Sequence, residues 1–328
     1  MAQDERVMSQ NDHSAGSRIV VVGAGNVGAT FAYALVQSGL ASEIVLVDNN
    51  QARAEGEAMD LSHAVPFSRP TRVRAGSLDD CVDAVITVIT AGAGQKPGET
   101  RMDLARRNDA ILSSIVRRVA EANRSGIVIV TTNPVDVLTA RAVASANLPP
   151  GQVFGTGTIL DTARFRALLA ERLEVDPRSI HAFVVGEHGD SEVAVWSSAN
   201  VAGVSVLDYC AQAGRELDDA EMDNIAAEVR DAAYEIIERK GATQYGVAAG
   251  MLRLVEAILR DQHTILPVSA PIPGFYGIDG VCLSLPAVIG RTGVERMIEI
   301  PLAADEQDAL RRSAEVVRNA VAELNGES

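Results

Sequence analysis

Three side chains suited to proton transfer and anion binding occur in two short segments of the chain. His188 stands between glycines, in the run GEHGD, directly after a β-branched stretch. Asp161 and Arg164 are three residues apart in a segment with helical character, so they share one helix face. Histidine titrates near neutral pH, a carboxylate can orient it, and an arginine can bind a substrate carboxylate. A histidine alone would more simply be a packed loop residue, so the prediction of acid–base chemistry depends on all three together.

A glycine-rich turn near the start of the chain predicts a dinucleotide site. Residues 23–28 read GAGNVG, which matches G-x-G-x-x-G between a predicted strand and a predicted helix. Gly23 would make the tight turn, Gly25 would let the backbone approach a pyrophosphate, and Gly28 would permit close helix–strand packing. Asp48 follows Gly28 by twenty residues, where a carboxylate accepts from both ribose hydroxyls and repels a 2′-phosphate. We therefore predict NAD rather than NADP as the cofactor; the alternative is a plain turn beside a solvated aspartate.

The elements around this turn alternate between strand and helix. β-branched runs predict strands, and the segments between them predict helices. The predicted strands are 18–22, 43–48, 84–90 and 126–131, and the predicted helices are 26–39, 51–64 and 103–123. This alternation predicts parallel strands joined by right-handed crossovers, which is a doubly wound sheet of the Rossmann type.

The pattern changes after about residue 154. The predicted helices are then 160–173, 218–240 and 305–324, and the predicted strands are 181–185, 264–269, 281–285 and 296–300. We expect an α+β domain with a mixed or antiparallel sheet that shares a cleft with the first half. The fold class is therefore α/β. The predicted division is a disordered tail over 1–17, a dinucleotide-binding domain over 18–155 and a substrate domain over 156–328.

Composition and charge limit the class of protein. Of 328 residues, 47% are hydrophobic and 22% are charged, which suffices for a large buried core. The net charge of −15 disfavours nucleic acid and anionic membrane as partners, and the polar first seventeen residues predict no signal peptide. Three widely spaced cysteines form no CxxC pair, so neither a zinc site nor a disulfide framework is predicted. We expect a cytoplasmic protein without a metal.

From Arg18 to about Leu324 the chain resembles the NAD-dependent L-lactate dehydrogenases of bacteria. The resemblance rests on six blocks in the expected order: GAGNVG, AGAGQKPGETR, TTNPVD, GTGTILDTARFR, GEHGDSEVAVWS and KGATQYG. It implies reversible hydride transfer between NADH and pyruvate, giving (S)-lactate, in a homotetramer. Malate and other 2-hydroxyacid dehydrogenases share the scaffold and stay open as alternatives. A non-catalytic NAD-binding protein is a remoter alternative.

The resemblance also implies roles for individual residues. His188 would protonate the keto oxygen of pyruvate, Asp161 would hold the other ring nitrogen of His188, and Arg164 would bind the substrate carboxylate with two parallel bonds. Asn133 would donate to the keto oxygen, and Thr243 would lie beside the substrate methyl. The predicted cofactor-binding residues are Gly23, Gly25, Val27, Gly28, Asp48, Arg53, Gly92, Ala93, Ser114, Thr131, Asn133 and Thr156.

The glycine-rich loop over residues 92–101 is predicted to be a lid rather than a plain surface loop. On closing, it would exclude water and bring Arg101 to the substrate to polarise its carbonyl. Malate dehydrogenases place an arginine at the position of Gln95, where it neutralises the second carboxylate of oxaloacetate. With a neutral side chain, closure over a dicarboxylate would bury an unpaired charge, whereas pyruvate leaves none. Gln95 therefore favours pyruvate, and Lys96 is the cation that would partly offset this preference.

A second anion site is predicted from Arg166 and His181. Arg166 points about 200° from Arg164 around the helix, so the two arginines serve different pockets. His181 begins the predicted strand that leads to His188. In bacterial lactate dehydrogenases the matching positions belong to a fructose 1,6-bisphosphate site at a subunit interface, so the resemblance implies activation by this effector. The alternatives are an ordinary surface pair and a site that has lost its effector.

Overall fold

A computed structural model describes residues 16–94 and 101–326 of the chain, with the backbone alone at Arg101. The predicted tail up to residue 15, Gln95 and the side chain of Arg101 therefore lie outside the described residues. The predicted lid is described only over Gly92–Gly94 and at the backbone of Arg101.

The first half of the chain forms the parallel part of a large sheet. Its strands are β1 (Arg18–Val22), β2 (Glu43–Val47), β3 (Arg72–Ala75), β4 (Ala84–Ile89), β5 (Ile127–Val130) and β6 (Val153–Gly155). Its helices are α1 (Asn26–Ser38), α2 (Gln51–Ala64), α3 (Arg101–Ala122) and α4 (Val135–Ala146). The parallel strands lie in the order β6-β5-β4-β1-β2-β3, so the chain winds outward in both directions from β1. The predicted Rossmann-type doubly wound sheet is confirmed.

The second half contributes strands to two sheets. Its helices are α5 (Ile159–Leu173), α6 (Val206–Gln212), α7 (Asp219–Lys240), α8 (Tyr245–Leu259) and α9 (Ala304–Asn325). Its strands are β7 (Ile180–Val185), β8 (Val193–Val201), β9 (Val204–Ser205), β10 (Thr264–Pro271), β11 (Cys282–Gly290) and β12 (Gly293–Met297). β7, β8 and β9 form a separate antiparallel sheet, which agrees with the predicted α+β character.

The other three late strands extend the first sheet. β10 pairs antiparallel with β6 at Ser269 and Gly155, and β11 and β12 follow outward. This pairing covers an edge strand whose backbone groups would otherwise be open. The predicted strand at 296–300 is wrong in its bounds. β12 starts at Gly293, whose φ of +90° begins the return strand directly after a tight turn from β11.

Alternate side chains of β1 face opposite layers of the protein. Ile19 and Val21 belong to the core cluster that contains residues of α1 and α8, and Val20 and Val22 belong to the cluster that contains residues of α3 and α4. All four are at most 4% exposed, as expected for a parallel strand that is covered on both faces. The carboxyl ends of the parallel strands therefore meet at one edge, between two helical layers, where ligands bind in sheets of this kind.

Two further observations concern the environment of the chain. No helix among residues 16–94 and 101–326 is long and apolar enough to cross a membrane. Cys81, Cys210 and Cys282 are buried and free.

Candidate active site

The glycine-rich turn after β1 has the geometry of a phosphate-binding turn. Gly23 has a φ of +108°, in the region that glycine adopts readily. A Cβ on Gly28 would lie 1.9 Å from the Gly23 carbonyl oxygen, whereas a Cβ on Gly25 would meet nothing within 4 Å. Among the described residues no side chain caps the start of α1, whose first turn contains no acidic residue. The open space and free N–H groups at the positive end of this helix fit the pyrophosphate of a dinucleotide.

Asp48 lies directly after β2, beside the glycine-rich turn. Its Oδ2 accepts a hydrogen bond from Ala24 N at 2.7 Å, and its Oδ1 accepts one from Asn50 N at 2.9 Å. The carboxylate thus fastens the turn to the end of β2, a role that the sequence pattern does not predict. Each oxygen keeps a further lone pair, so ribose binding stays compatible with these contacts.

Two adjoining cavities follow the carboxyl edge of the sheet. The first, of about 420 Å³, contains six predicted cofactor residues along its wall: Val27, Gly92, Ala93, Thr131, Asn133 and Thr156. Thr243 lines the same cavity. The second, of about 360 Å³, is lined by Asp161 and Glu192 among others, and both cavities are lined by Arg164 and His188.

Six predicted cofactor residues line neither cavity: Gly23, Gly25, Gly28 and Asp48, which belong to the glycine-rich turn and its contact after β2, and also Arg53 and Ser114. Arg53 is exposed in the first turn of α2, and Ser114 is exposed in the middle of α3. Their assignment stays a prediction from the sequence.

One buried carboxylate holds both cationic side chains of the predicted site. Asp161, on α5, is 1% exposed. Its Oδ2 lies 2.5 Å from His188 Nδ1, and its Oδ1 accepts a hydrogen bond from Arg164 Nη1 at 2.8 Å. His188 follows β7, and 24% of its side chain is exposed. Because Nδ1 faces Asp161, Nε2 is the ring nitrogen left for a ligand in the cavity.

The carboxylates around His188 favour its protonated form. Burial alone would lower the pKa of His188, but the charge and hydrogen bond of Asp161 raise it, with Asp136 and Glu192 adding to the effect. The resulting pKa is about 9, against an ordinary value of 6.5. Burial would raise the pKa of Asp161, but His188 and Arg164 lower it overall. The pair is therefore an ion pair at neutral pH, with a proton available at His188.

Asp136 fixes the backbone of the loop that contains His188. This role of Asp136 is not predicted from the sequence. Asp136 lies in the first turn of α4 and is 1% exposed. Its Oδ2 accepts from His188 N at 2.7 Å, and its Oδ1 accepts from Ser284 Oγ at 3.3 Å. Burial raises the pKa of this carboxyl to about 6. The only sequence signal is an acidic residue after Pro134 in the block TTNPVD, which does not reveal a partner 52 residues away.

Asn108 joins two of the loops that line the first cavity. It is a buried residue of α3, and its Oδ1 accepts from Ala93 N at 2.8 Å. Its Nδ2 donates to Asn133 O at 2.8 Å. A buried asparagine in a helix is a weak sequence signal, since nothing in the local pattern names its partners.

Glu192 is a second carboxylate beside the His188–Asp161 pair. It lies immediately before β8, and one oxygen, Oε1, is buried without a hydrogen-bond partner among the described residues. Burial, and next the charge of Asp161, raise the pKa of Glu192 to about 8. Glu192 is part of the block GEHGDSEVAVWS, but no role is predicted for it from the sequence.

Arg166 and His181 lie on the far side of α5 from the cavities. Arg166 Nε donates to Ala182 O at 2.9 Å, and its guanidinium carbon lies 5.2 Å from the centroid of the Phe183 ring. Burial lowers the pKa of Arg166. His181 is exposed on β7, Ala182 is buried and Phe183 is half-buried, so His181 and Phe183 occupy the same face of the strand. Arg166 thus contacts the two residues that follow His181 on β7, and neither predicted effector residue lines either of the two adjoining cavities.

A dinucleotide-binding turn that opens into a cavity with a histidine–aspartate pair defines a nicotinamide-dependent dehydrogenase. The chain belongs to the lactate/malate dehydrogenase family. The family's NAD-binding domain matches residues 17–155, and its α/β C-terminal domain matches residues 158–327. NAD is accordingly its cofactor.

Curated relatives and solved structures agree with this family. The chain is 48% identical to an L-lactate dehydrogenase of a Thermoanaerobacter species over 94% of this chain and 99% of the relative. It is 50% identical to the L-lactate dehydrogenase of Nitratidesulfovibrio vulgaris over 94% of this chain and all of the relative. The structure of the minor L-lactate dehydrogenase of Enterococcus mundtii matches with a TM-score of 0.91 at 40% identity, covering 94% of this chain and 98% of that one.

Proposed function

We propose that this protein is an L-lactate dehydrogenase, which transfers a hydride reversibly between NADH and pyruvate and forms (S)-lactate. The observation that carries the proposal is the single buried carboxylate of Asp161, which contacts both His188 and Arg164. It provides a proton donor and a carboxylate-binding group next to each other in a cavity that adjoins the dinucleotide turn. The names of the two curated relatives support the same activity.

In the proposed reaction, His188 transfers the proton. The glycine-rich turn and the first cavity would hold NADH, which when bound would supply the hydride for the carbonyl carbon of pyruvate. His188 Nε2 donates its proton to the carbonyl oxygen, and it takes the proton back when lactate is oxidised. Asp161 holds the ring by Nδ1 and stabilises the imidazolium. A pKa of about 9 keeps His188 protonated at neutral pH, in the form required for pyruvate reduction.

The remaining proposed roles concern the orientation of the substrate. Arg164 uses one Nη1 hydrogen bond for Asp161, and its guanidinium has further donors for the substrate carboxylate. Asn133 donates to the keto oxygen, and Thr243 borders the methyl group; both line the first cavity. Arg101 polarises the carbonyl when the lid closes, a role that rests on the sequence because its side chain is outside the described residues.

The neutral side chain of Gln95 favours pyruvate over oxaloacetate. Closure of the lid over a dicarboxylate would bury an unpaired charge, which is strongly unfavourable. Because of this cost, a malate or other 2-hydroxyacid dehydrogenase is only the second candidate function. A non-catalytic NAD-binding protein is the third. Initial rates of NADH oxidation with pyruvate and with oxaloacetate separate the three. We expect a clear preference for pyruvate; a preference for oxaloacetate or an absence of turnover would contradict the proposal.

Regulation and assembly are part of the proposal. We infer that fructose 1,6-bisphosphate activates the enzyme by binding to Arg166 and His181. The contacts of Arg166 with Ala182 and Phe183, which follow His181 on β7, support this inference. We also propose a homotetramer that acts in the cytoplasm. The proposed domains are an NAD-binding domain over 18–155 and a substrate domain over 156–328, preceded by a tail.

A further inference from the structure

Glu192 is a carboxylate on the wall of the second cavity that has no role in the proposed mechanism. Its Oε1 has no hydrogen-bond partner among the residues that the structure describes. A carboxylate oxygen of Glu192 lies within 4.8 Å of both an Asp161 oxygen and a His188 ring nitrogen. Two carboxylates this close, with Asp161 buried and Glu192 half-buried, do not both ionise easily, and one of them holds a proton. Asp161 has two cationic partners and stays charged, so the proton belongs on Glu192.

The charged groups that face Glu192 come from three parts of the fold. Asp161 and Arg164 approach from α5, His188 from the loop after β7, and Arg230 from α7. Arg230 lies 3.6 Å from Asp231, so its charge is partly balanced. The net effect of these groups and of burial is to raise the pKa of Glu192 to about 8.

Two more carboxylates line this cavity from the same loop as His188, and both already have a partner. Ser191 Oγ donates to a carboxylate oxygen of Glu187 at 2.5 Å, and Tyr234 Oη donates to Asp190 Oδ1 at 2.9 Å. The walls contributed by α3 and α9 include the apolar side chains of Met102 and Val316. Glu187 and Asp190 each accept a hydrogen bond, whereas Oε1 of Glu192 accepts none among the described residues. Glu192 is therefore the carboxylate of this loop region that we expect to bind a proton.

The cluster of Asp161, His188 and Glu192 also has the ligand types of a metal site. The 2.5 Å between Asp161 Oδ2 and His188 Nδ1 is a hydrogen-bond distance. Two ligand atoms at about 2.1 Å from one metal ion would be roughly 3.3 Å apart. The distance between Asp161 and His188 therefore fits a hydrogen bond and is too short for two ligands of one metal ion.

We propose that Glu192 is a proton-binding residue of the substrate cavity, and that a 2-oxo acid binds only when the carboxyl of Glu192 is neutral. Before the lid brings in Arg101, the charges of Arg164, protonated His188 and Asp161 sum to one positive charge, which the substrate carboxylate balances. An ionised Glu192 would then repel the incoming carboxylate and leave one uncompensated negative charge in the cavity. Binding of an anionic substrate is then coupled to proton uptake by Glu192. This inference rests on the proposed function.

The first test is the pH dependence of the Michaelis constant for pyruvate in wild type, Glu192→Gln and Glu192→Asp. In wild type, log KM should rise with a slope that approaches two at high pH, because Glu192 and His188 both have to be protonated. In Glu192→Gln the slope should approach one, and KM near pH 9.5 should be lower than in wild type by up to about 30-fold, as follows from a pKa near 8 for Glu192. Loss of the Glu192 charge also lowers the pKa of His188, which offsets part of this decrease. Below about pH 7 the two KM values should agree, and kcat should change little at any pH. Glu192→Asp should retain the slope of two.

The second test measures protons directly and does not need turnover. Oxamate, an unreactive analogue of pyruvate, is titrated calorimetrically into the complex with NADH at pH 8 in Tris and in HEPES. The wild-type complex should take up about half a proton through Glu192 and about one-tenth through His188, whereas Glu192→Gln should take up only the latter. Glu238→Gln, which removes an exposed carboxylate of α7, is the matched control and should behave as wild type.

The two proposals fail in different ways. If wild type oxidises no NADH with pyruvate, the proposed function is contradicted, whatever the behaviour of Glu192. If wild type turns pyruvate over but the pH profile of KM and the proton uptake are the same in Glu192→Gln, the inference about Glu192 is wrong. A rise in KM of Glu192→Gln at all pH values would likewise contradict it, because the carboxyl would then be needed as a contact and not as a proton site.

Discussion

At the scale of single residues, the chemistry depends on one carboxylate with two cationic partners. Asp161 raises the pKa of His188 to about 9 although burial alone would lower it. Because the folded-state pKa lies above the ordinary value of 6.5, the ion pair also contributes stability that is fully present below about pH 6.5 and is lost as the pH rises through about 9. In the proposed function, the same contact holds the proton for catalysis and also stabilises the loop that contains His188.

Asp161→Asn should shift the pH dependence of pyruvate reduction to lower pH. Without the carboxylate, burial dominates and the pKa of His188 should fall to 6.5 or below. In wild type, kcat/KM for pyruvate should therefore decline only on the alkaline side, above about pH 8. In the variant it should decline already above about pH 6.5. An alkaline limb that stays at the same pH would show that Asp161 does not set the protonation of His188.

Gln95→Arg should move the preference from pyruvate towards oxaloacetate. The new guanidinium would supply the counter-charge for a second substrate carboxylate, which is otherwise buried unpaired. The ratio of the two kcat/KM values should change by a factor on the order of 10³. Gln212→Arg, at an exposed position at the end of α6, is the control for added charge. If the ratio barely changes, residue 95 does not face the substrate and the charge argument fails.

At the scale of elements, much of the fold follows from periodicity. The four strands predicted in the first half are present with bounds within one residue, because buried parallel strands are β-branched runs. α8 is not predicted, although it is a helix over Tyr245–Leu259. It contains Gly246 and Gly250, which are typical of loops in a sequence. In the structure they allow close contact with α5, since a Cβ on Gly246 would lie 2.7 Å from Leu160 Cδ1.

The parts of the site that sequence reasoning misses have a common physical cause. Asp136 and Glu192 act on His188 through contacts between separate elements, and neither shares a periodic pattern with it. Asp161 and Arg164 are recognisable because they are neighbours on one helix face. A pattern along the chain reveals such local pairs, whereas burial and three-dimensional proximity determine which other carboxylates affect the histidine.

The turn after β1 and the end of β2 act as one unit, which Asp48 variants test. Asp48→Asn removes the charge but keeps an oxygen that can accept from Ala24 N. It should relax the discrimination against NADPH while NADH still binds. Asp48→Ala also removes the hydrogen bond to the turn, so it should weaken NADH binding further. Dissociation constants for both cofactors are the measurement, with Asp60→Ala on α2 as the control. Unchanged affinities in both Asp48 variants would place this residue outside the ribose site.

At the scale of the whole molecule, the two halves share one sheet. β10 adds to the edge strand β6, so the strands of the second half continue the sheet whose carboxyl edge borders the cavities. His188 and Asp161 belong to the second half, and the glycine-rich turn belongs to the first. The net charge of −15 makes local cations necessary for any anionic ligand. In the proposed function, Arg164 provides one for the substrate, and Arg166 provides one for the effector on the opposite side of α5.

Fructose 1,6-bisphosphate should lower the apparent pyruvate constant through Arg166. In a symmetric assembly, matching cations of two subunits would meet at a two-fold axis, and a bisphosphate would bridge them. A coupling of about 1–3 kcal/mol corresponds to a roughly 5–150-fold decrease. Arg166→Gln should lose this response, and Arg172→Gln, an exposed arginine of the same helix, should keep it. No shift in wild type, or equal shifts in wild type and Arg166→Gln, would contradict the effector site.

We propose that His188 transfers the proton in pyruvate reduction, and the variant His188→Ala tests this role. We measure kcat for pyruvate and the dissociation constant of NADH on the same preparations, with His63→Ala, an exposed histidine of α2, as the control. We expect kcat to fall by at least about 10²–10⁴-fold while NADH binding is retained, because His188 is not among the predicted cofactor-binding residues. Near-normal turnover in His188→Ala would show that His188 does not transfer the proton.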